Sequence, residues 1–192
     1  MAISKTARYT TQSFKKKEQV GDPYTANTPQ TGFAICPECK SVYYNKRWAL
    51  PHPQGDTIMP KSPRSMRKSG NPVMMPELFV CPACQKIRDG YAEGFVSIRW
   101  ENWLAHKADI IGLIHNEEKR ASHVNPLERI MAVHTRSNGI DVETTTERMA
   151  QRIGRDLARA FKGKVQYKWS HKDKVARVQW KGPKKKAVSR RT

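Results

Sequence analysis

The chain of 192 residues sets 36 Lys and Arg against 17 Asp and Glu, a net charge of +19, and hydrophobic residues make up only 38% of it, against about 45% in an ordinary globular domain. That length allows one or two small cores, and the lack of any apolar run near ~18 residues excludes a membrane-spanning helix. So large a charge repels itself and does not serve folding, so it calls for an anionic partner, of which nucleic acid is the commonest.

The opening stretch, MAISKTARYTTQSFKKKEQV, has no apolar core of a secretory signal and carries Lys15, Lys16 and Lys17. Residues 1–32 are read as a basic, disordered arm that contacts RNA. The chain is expected in the cytoplasm. In that reducing compartment four cysteines point to metal and not to disulfides.

Ordered structure is expected from Phe33. Two pairs follow, Cys36-Pro-Glu-Cys39 and Cys81-Pro-Ala-Cys84. Each CxxC presents two thiolates from a tight knuckle, and two knuckles complete a tetrahedral all-thiolate site suited to one structural Zn²⁺. Such a site is closed and leaves no position for catalysis. A redox CxxC is ordinarily a single pair at a helix start, and neither pair is read here as followed by a helix. The expected module is a four-cysteine zinc ribbon over 33–98, with a Pro-, Gly- and Ser-rich loop at 51–76 extruded from it. That loop holds Lys61, Arg64, Arg67 and Lys68. His52 is read as a loop histidine, since the ligand set is already complete. Lys40, Lys46, Arg47, Lys86 and Arg88 flank the knuckles and are candidates to meet phosphate. Tyr43, Tyr44 and Trp48 are candidates to stack on bases.

Trp100, Trp103, Leu104, Ile110, Ile111 and Ile114 follow helical spacing and predict a helix over about 101–121, in a connecting segment 99–125 that stops before Asn125-Pro126. Residues 126–181 read as a small β-β-α-β-β domain, so the fold class is α+β. ERIMAVHTR and IDVETT form a hairpin around Ser137-Asn138-Gly139. Thr144 and Glu147 have capping-box spacing ahead of a helix at about 146–162, and Gly163 fits the position just past its end. KVQYKWS and VARVQWK are the last two strands, with HKDK turning between them. Residues 182–192 form a basic tail with Lys184, Lys185, Lys186, Arg190 and Arg191.

On the helix TERMAQRIGRDLARAFKG, Met149, Ile153, Leu157 and Phe161 recur every four residues as a core stripe. Arg148, Arg152, Arg155, Arg159 and Lys162 step along another face. At ~1.5 Å rise per residue the row is about 20 Å long, and like charges at that spacing repel unless an anion lies along them. Arginine favours forked contacts to phosphate. With the tails and the loop, these residues form the expected RNA-binding set. Only Glu147 and Asp156 are near enough in sequence to neutralise the row. Tyr167, Trp169 and Trp180 alternate on the last strands and are read first as core, second as base-stacking residues. His115, Glu117 and Glu118 read as surface charge near a helix end. No HExxH, P-loop, GxGxxG or GxSxG pattern occurs, and the chain is not read as an enzyme.

The stretches FAICPECKSVYYNKRWAL and LFVCPACQKIRDGYAEGFVSI, with residues 125–180, resemble a family of small bacterial zinc-ribbon proteins. The chain is more distantly similar to the archaeal and eukaryotic adaptor family that binds the large ribosomal subunit during its maturation and export. The resemblance covers about residues 33–181. It implies Cys36, Cys39, Cys81 and Cys84 as zinc ligands and the ribosome, through rRNA on the large subunit, as partner, with ribosomal proteins as further contacts. The adaptor family holds more zinc and has further domains and transport signals, so export is not implied. The expected function is a ribosome-associated, rRNA-binding zinc protein acting in assembly, dormancy or translation regulation, with no membrane partner. Two other readings stand beside it: a DNA-binding, transcription-associated zinc ribbon, and an RNA-processing enzyme.

Overall fold

The computed structural model describes residues 22–183, apart from 27, 31, 52–74 and 171–173. Lys15, Lys16, Lys17, Arg64, Arg67, Lys68, Lys184, Lys185, Lys186, Arg190 and Arg191 lie outside the described residues, as do most of the 51–76 loop and of the HKDK turn. Among the described residues the fold is α+β, with two sheets and three helices longer than a single turn, and none of these helices is long and apolar enough to cross a membrane.

A helical turn at Pro23–Ala26 precedes the first sheet, which holds β1 (Phe33–Ile35), β2 (Val42–Tyr44), β3 (Arg47–Ala49) and β4 (Glu77–Leu78) in the order β3-β2-β1-β4. Tyr44 pairs with Arg47 across a two-residue turn, and both turn residues, Asn45 and Lys46, have positive φ, the conformation that matches strand twist in a tight hairpin. β4 runs parallel to β1 and feeds α1 (Pro82–Asp89). This helix corrects the reading in which neither cysteine pair leads into one. Its signals are ordinary: Pro82 at the first helical position, where a missing N–H is harmless, and Gly90 beyond the end at φ 65.

The second sheet contains β5 (Gly94–Arg99), β6 (Ile130–Arg136), β7 (Gly139–Thr144), β8 (Lys164–Ser170) and β9 (Val175–Lys181), in the order β6-β7-β5-β9-β8. The expected β-β-α-β-β strands are present, but β5 sits between their two hairpins. It pairs antiparallel with β7 and parallel with β9. The boundary expected at residue 98 therefore falls inside the central strand of this sheet.

The expected 101–121 helix begins later. A 3-10 turn at Trp103–His106 leads into α2 (Lys107–Val124), which ends at Asn125 ahead of Pro126. α3 (Glu147–Phe161) is capped by Thr146, whose side chain accepts from the Met149 N–H at 3.3 Å. Thr144, expected as the cap, is instead buried at the end of β7 and donates to the Thr146 carbonyl at 2.9 Å. Gly163, at φ 79, leaves no room for a Cβ beside the Lys181 carbonyl, so only glycine suits the exit from α3.

α2 and α3 close one core over one face of the sheet. Ile110 and Ile114 of α2 and Met149, Ile153 and Leu157 of α3 meet Val96, Ile98, Ile140, Val142, Val178 and Trp180. Phe161 packs against this cluster at its edge. Trp180 is fully buried and its ring N–H donates to the Lys162 carbonyl at 2.9 Å. Tyr167 and Trp169 remain 39% and 47% exposed, which overturns the core reading for these two. They lie on the edge strand β8, on the helix-bearing face, where Tyr167 reaches α3 beside Gly154 but both rings stay partly open to water.

Candidate metal centre and basic helix face

The β1–β2 connection forms the first half of the site. The Cys36 N–H donates to the Ser41 carbonyl and the Lys40 N–H to the Cys36 carbonyl, each at 2.9 Å. Lys40 closes the turn at φ 63. The second half is the start of α1, with Cys81 at the N-cap and Cys84 in the first turn. The Cys81 N–H donates to the Cys36 sulfur at 3.4 Å. A hairpin and a helix start, which the parallel β1–β4 pair holds together, thus converge all four thiols.

Their sulfur atoms all lie within 4.8 Å of one another, with Cys39 and Cys81 3.5 Å apart. A tetrahedral metal at ~2.3 Å from each sulfur sets the sulfurs about 3.8 Å apart, so the donor set fits a single ion. Electrostatics agrees. Without a cation, one thiolate is shared: Cys39 is held down at about 4 because the Cys81 thiol donates to it. That same donation pushes Cys81 up, and burial pushes Cys84 up to about 12. Four thiolates held this close, three of them buried, need a dication beside them.

The site also binds the two sheets together, which the sequence reading missed. Arg129, ahead of β6, donates to the Cys84 sulfur at 3.5 Å, and Leu127 packs against the cysteine cluster. Lys86, expected to meet phosphate, is buried. Its ammonium lies 2.6 Å from Asp22 and 2.8 Å from Glu93, and reaches the Thr145 carbonyl at 3.4 Å. Arg88 pairs with Glu38 at the surface. Lys40, Lys46 and Arg47 are exposed. Tyr43 is buried, and its ring and that of Phe79 flank Trp48 inside the module. Tyr44 meets Phe33 edge-on.

The arginine row of α3 divides in two. Arg148, Arg155 and Arg159 are exposed, as is Lys162 past the helix end. Arg152 turns toward α2, where its Nε lies 3.1 Å from Glu128 and its Nη1 3.6 Å from Glu117. Arg120 of α2 pairs with Glu117 and with Asp156 of α3. The row is therefore neutralised from α2 and the segment after it, which corrects the reading that only Glu147 and Asp156 serve it. Glu117, read as surface charge, is 3% exposed, and burial pushes its carboxyl above the usual range. Glu118 is likewise engaged, accepting from the Ile130 N–H at 2.8 Å.

Comparison with protein-family models, curated proteins and solved structures finds no match to this chain.

Proposed function

We propose that this chain is an rRNA-binding protein built on one structural Zn²⁺, and that it acts on the ribosome, at the large subunit, in assembly, dormancy or translation regulation. The zinc reading rests on donor chemistry. Four thiolates at tetrahedral spacing suit Zn²⁺ before harder cations. The site is closed, so its contribution is folding free energy, on the order of 10 kcal/mol.

The observation that carries the RNA reading is where the acids go. Asp22, Glu93, Glu117, Glu128, Asp141 and Asp156 are all held in ion pairs within the fold. The internal cations that hold them number few beside the 36 Lys and Arg of the chain. These pairs nearly cancel, so the excess charge of +19 falls on the remaining residues, which include the exposed Arg148, Arg155 and Arg159 of one helix. Arginine at that spacing suits a phosphate backbone.

Co-sedimentation of tagged protein on a sucrose gradient, at low and moderately high salt, tests the proposal. The expected result is co-migration with the large subunit or the whole particle at both salts. Protein that stays at the top of the gradient, or leaves the particle at a slight rise in salt, would refute the ribosomal assignment.

A further inference from the structure

Among the described residues, α2 and α3 pack on one face of the five-stranded sheet. On the other face, at the β9–β8 end, Lys164, Gln166, Lys168, Arg177, Gln179 and Lys181 are all exposed. Residues directly opposite on neighbouring strands share a face, so the register writes this surface out in rows. Glu143, Phe95, Arg177 and Lys168 form one row across β7, β5, β9 and β8; Asp141, Ser97, Gln179 and Gln166 form the next. Gly139, Arg99, Lys181 and Lys164 form the third.

Charge is divided along these rows. The acids sit on β7, where Arg99 and Arg136 hold Asp141 and His134 lies 3.8 Å from Glu143. Lys164, Lys168, Arg177 and Lys181 have no carboxylate partner among the described residues. Two cation pairs therefore flank a strip of Gln166, Gln179 and Ser97, about 13 Å apart at the rise of a strand. The Arg177 guanidinium lies over the Phe95 ring, 5.0 Å from its centre. A planar cation on an aromatic ring is a surface on which an unpaired base stacks. At the foot of the same rows, Arg99 and Lys181 open into a cleft of about 440 Å³ walled by Trp100, Trp103 and Leu104.

We propose that the β5–β9–β8 half of this open face is a platform for single-stranded RNA, separate from the arginine face of α3. The proposal rests on the reading of the chain as an RNA-binding protein. Phosphates lie on the two cation pairs, and bases meet the amide strip and the open face of the Arg177 guanidinium that Phe95 backs. The ring is set among the strands of a sheet surface, so it is reached by splayed bases and not by the closed edge of a duplex. The acids of β7 confine the strand to one half.

Fluorescence anisotropy of the full-length protein tests this, with a labelled 12-nucleotide RNA free of self-complementarity and a labelled RNA hairpin. The K168A/R177A variant is expected to weaken single-strand binding tenfold or more. It should lower the salt slope by about 1.4, since each lost phosphate contact removes ~0.7 for a single strand. F95A should weaken it about fivefold or more. Both should leave hairpin binding within twofold, while R155A/R159A weakens the hairpin. Thermal melts check that each variant is folded, and the two exposed cations carry the test if F95A is not. Unchanged single-strand binding by K168A/R177A, with wild type binding both RNAs, would overturn the platform and leave the RNA reading intact. Wild type that binds neither RNA would remove both. Equal competition by DNA of the same sequence, or by phosphatidylserine vesicles, would overturn the assignment to RNA.

Discussion

Arg129 places its guanidinium 3.5 Å from the sulfur of Cys84, so the larger α+β layer reaches into the ligand set of the smaller module. A partner of this kind orients a ligand and stabilises its negative charge, and its loss typically lowers metal affinity about 10–100-fold. Arg129→Ala is expected to behave so, measured by zinc competition with a chromophoric chelator. Removing the metal outright, with strong chelator and reductant, should release one zinc per chain and unfold the module around Cys36, Cys39, Cys81 and Cys84, read by circular dichroism. Two ions released, or none, would refute the four-thiolate site.

Arg152 and its neighbours on α3 should separate in experiment. Arg152→Ala leaves Glu128 and Glu117 buried beside fewer cations. A broken buried pair costs about 3–5 kcal/mol, and about 2–3 kcal/mol is expected here because Arg152 is itself 31% exposed. Arg155→Ala and Arg159→Ala should change stability by no more than about 0.5 kcal/mol, yet weaken RNA binding and flatten its salt dependence. Urea denaturation and RNA titration, run on the same three variants, test the division.

Burial dominates the raised carboxyl of Glu117, ahead of its neighbour Asp156 and against Arg120 and Arg152. The folded state therefore holds this proton more tightly than the unfolded chain. Stability from this group is present below the usual glutamate value and is lost as pH rises through the folded one. Glu117→Gln cannot ionise, so its stability relative to wild type should improve from pH about 4.5 upward. Urea midpoints of both proteins across pH 4–8 measure the difference; parallel curves would contradict it.

The aromatic trio of the last strands should split in the same manner. Trp180→Ala is expected to destabilise by about 3–5 kcal/mol, the range for emptying a buried aromatic site. Trp169→Ala, at 47% exposure, should cost about 1 kcal/mol or less. Denaturant midpoints compare them directly.

Local signals made much of this fold legible. The repeated Cys-Pro-x-Cys marked the ligand set, Ser137-Asn138-Gly139 marked a hairpin, and the spacing of Met149, Ile153, Leu157 and Phe161 marked a buried helix face. What stayed hidden depends on distant residues. GFVSIR alternates like any strand, and nothing in it says that its partners are β7 and β9. Arg152 looks like its exposed neighbours because Glu117 and Glu128 come from another helix and the segment beyond it. Tyr167 and Trp169 look like core because edge position is a property of the whole sheet. The start of α1 was readable, from Pro82 and Gly90, but the expectation of a β-knuckle overrode it.

The pairing of β5 with β9 has a consequence for synthesis. Phe95 sits opposite Arg177, so the middle of the larger sheet lacks one neighbour until the last strand has left the ribosome. At ~5–20 residues per second, the apolar face of β5 waits several seconds for that strand. The four cysteines wait less, since all of them have been made by Cys84 and the Leu127 and Arg129 that pack on them follow soon after. The chain should thus bring its four cysteines together while its principal core is still being translated.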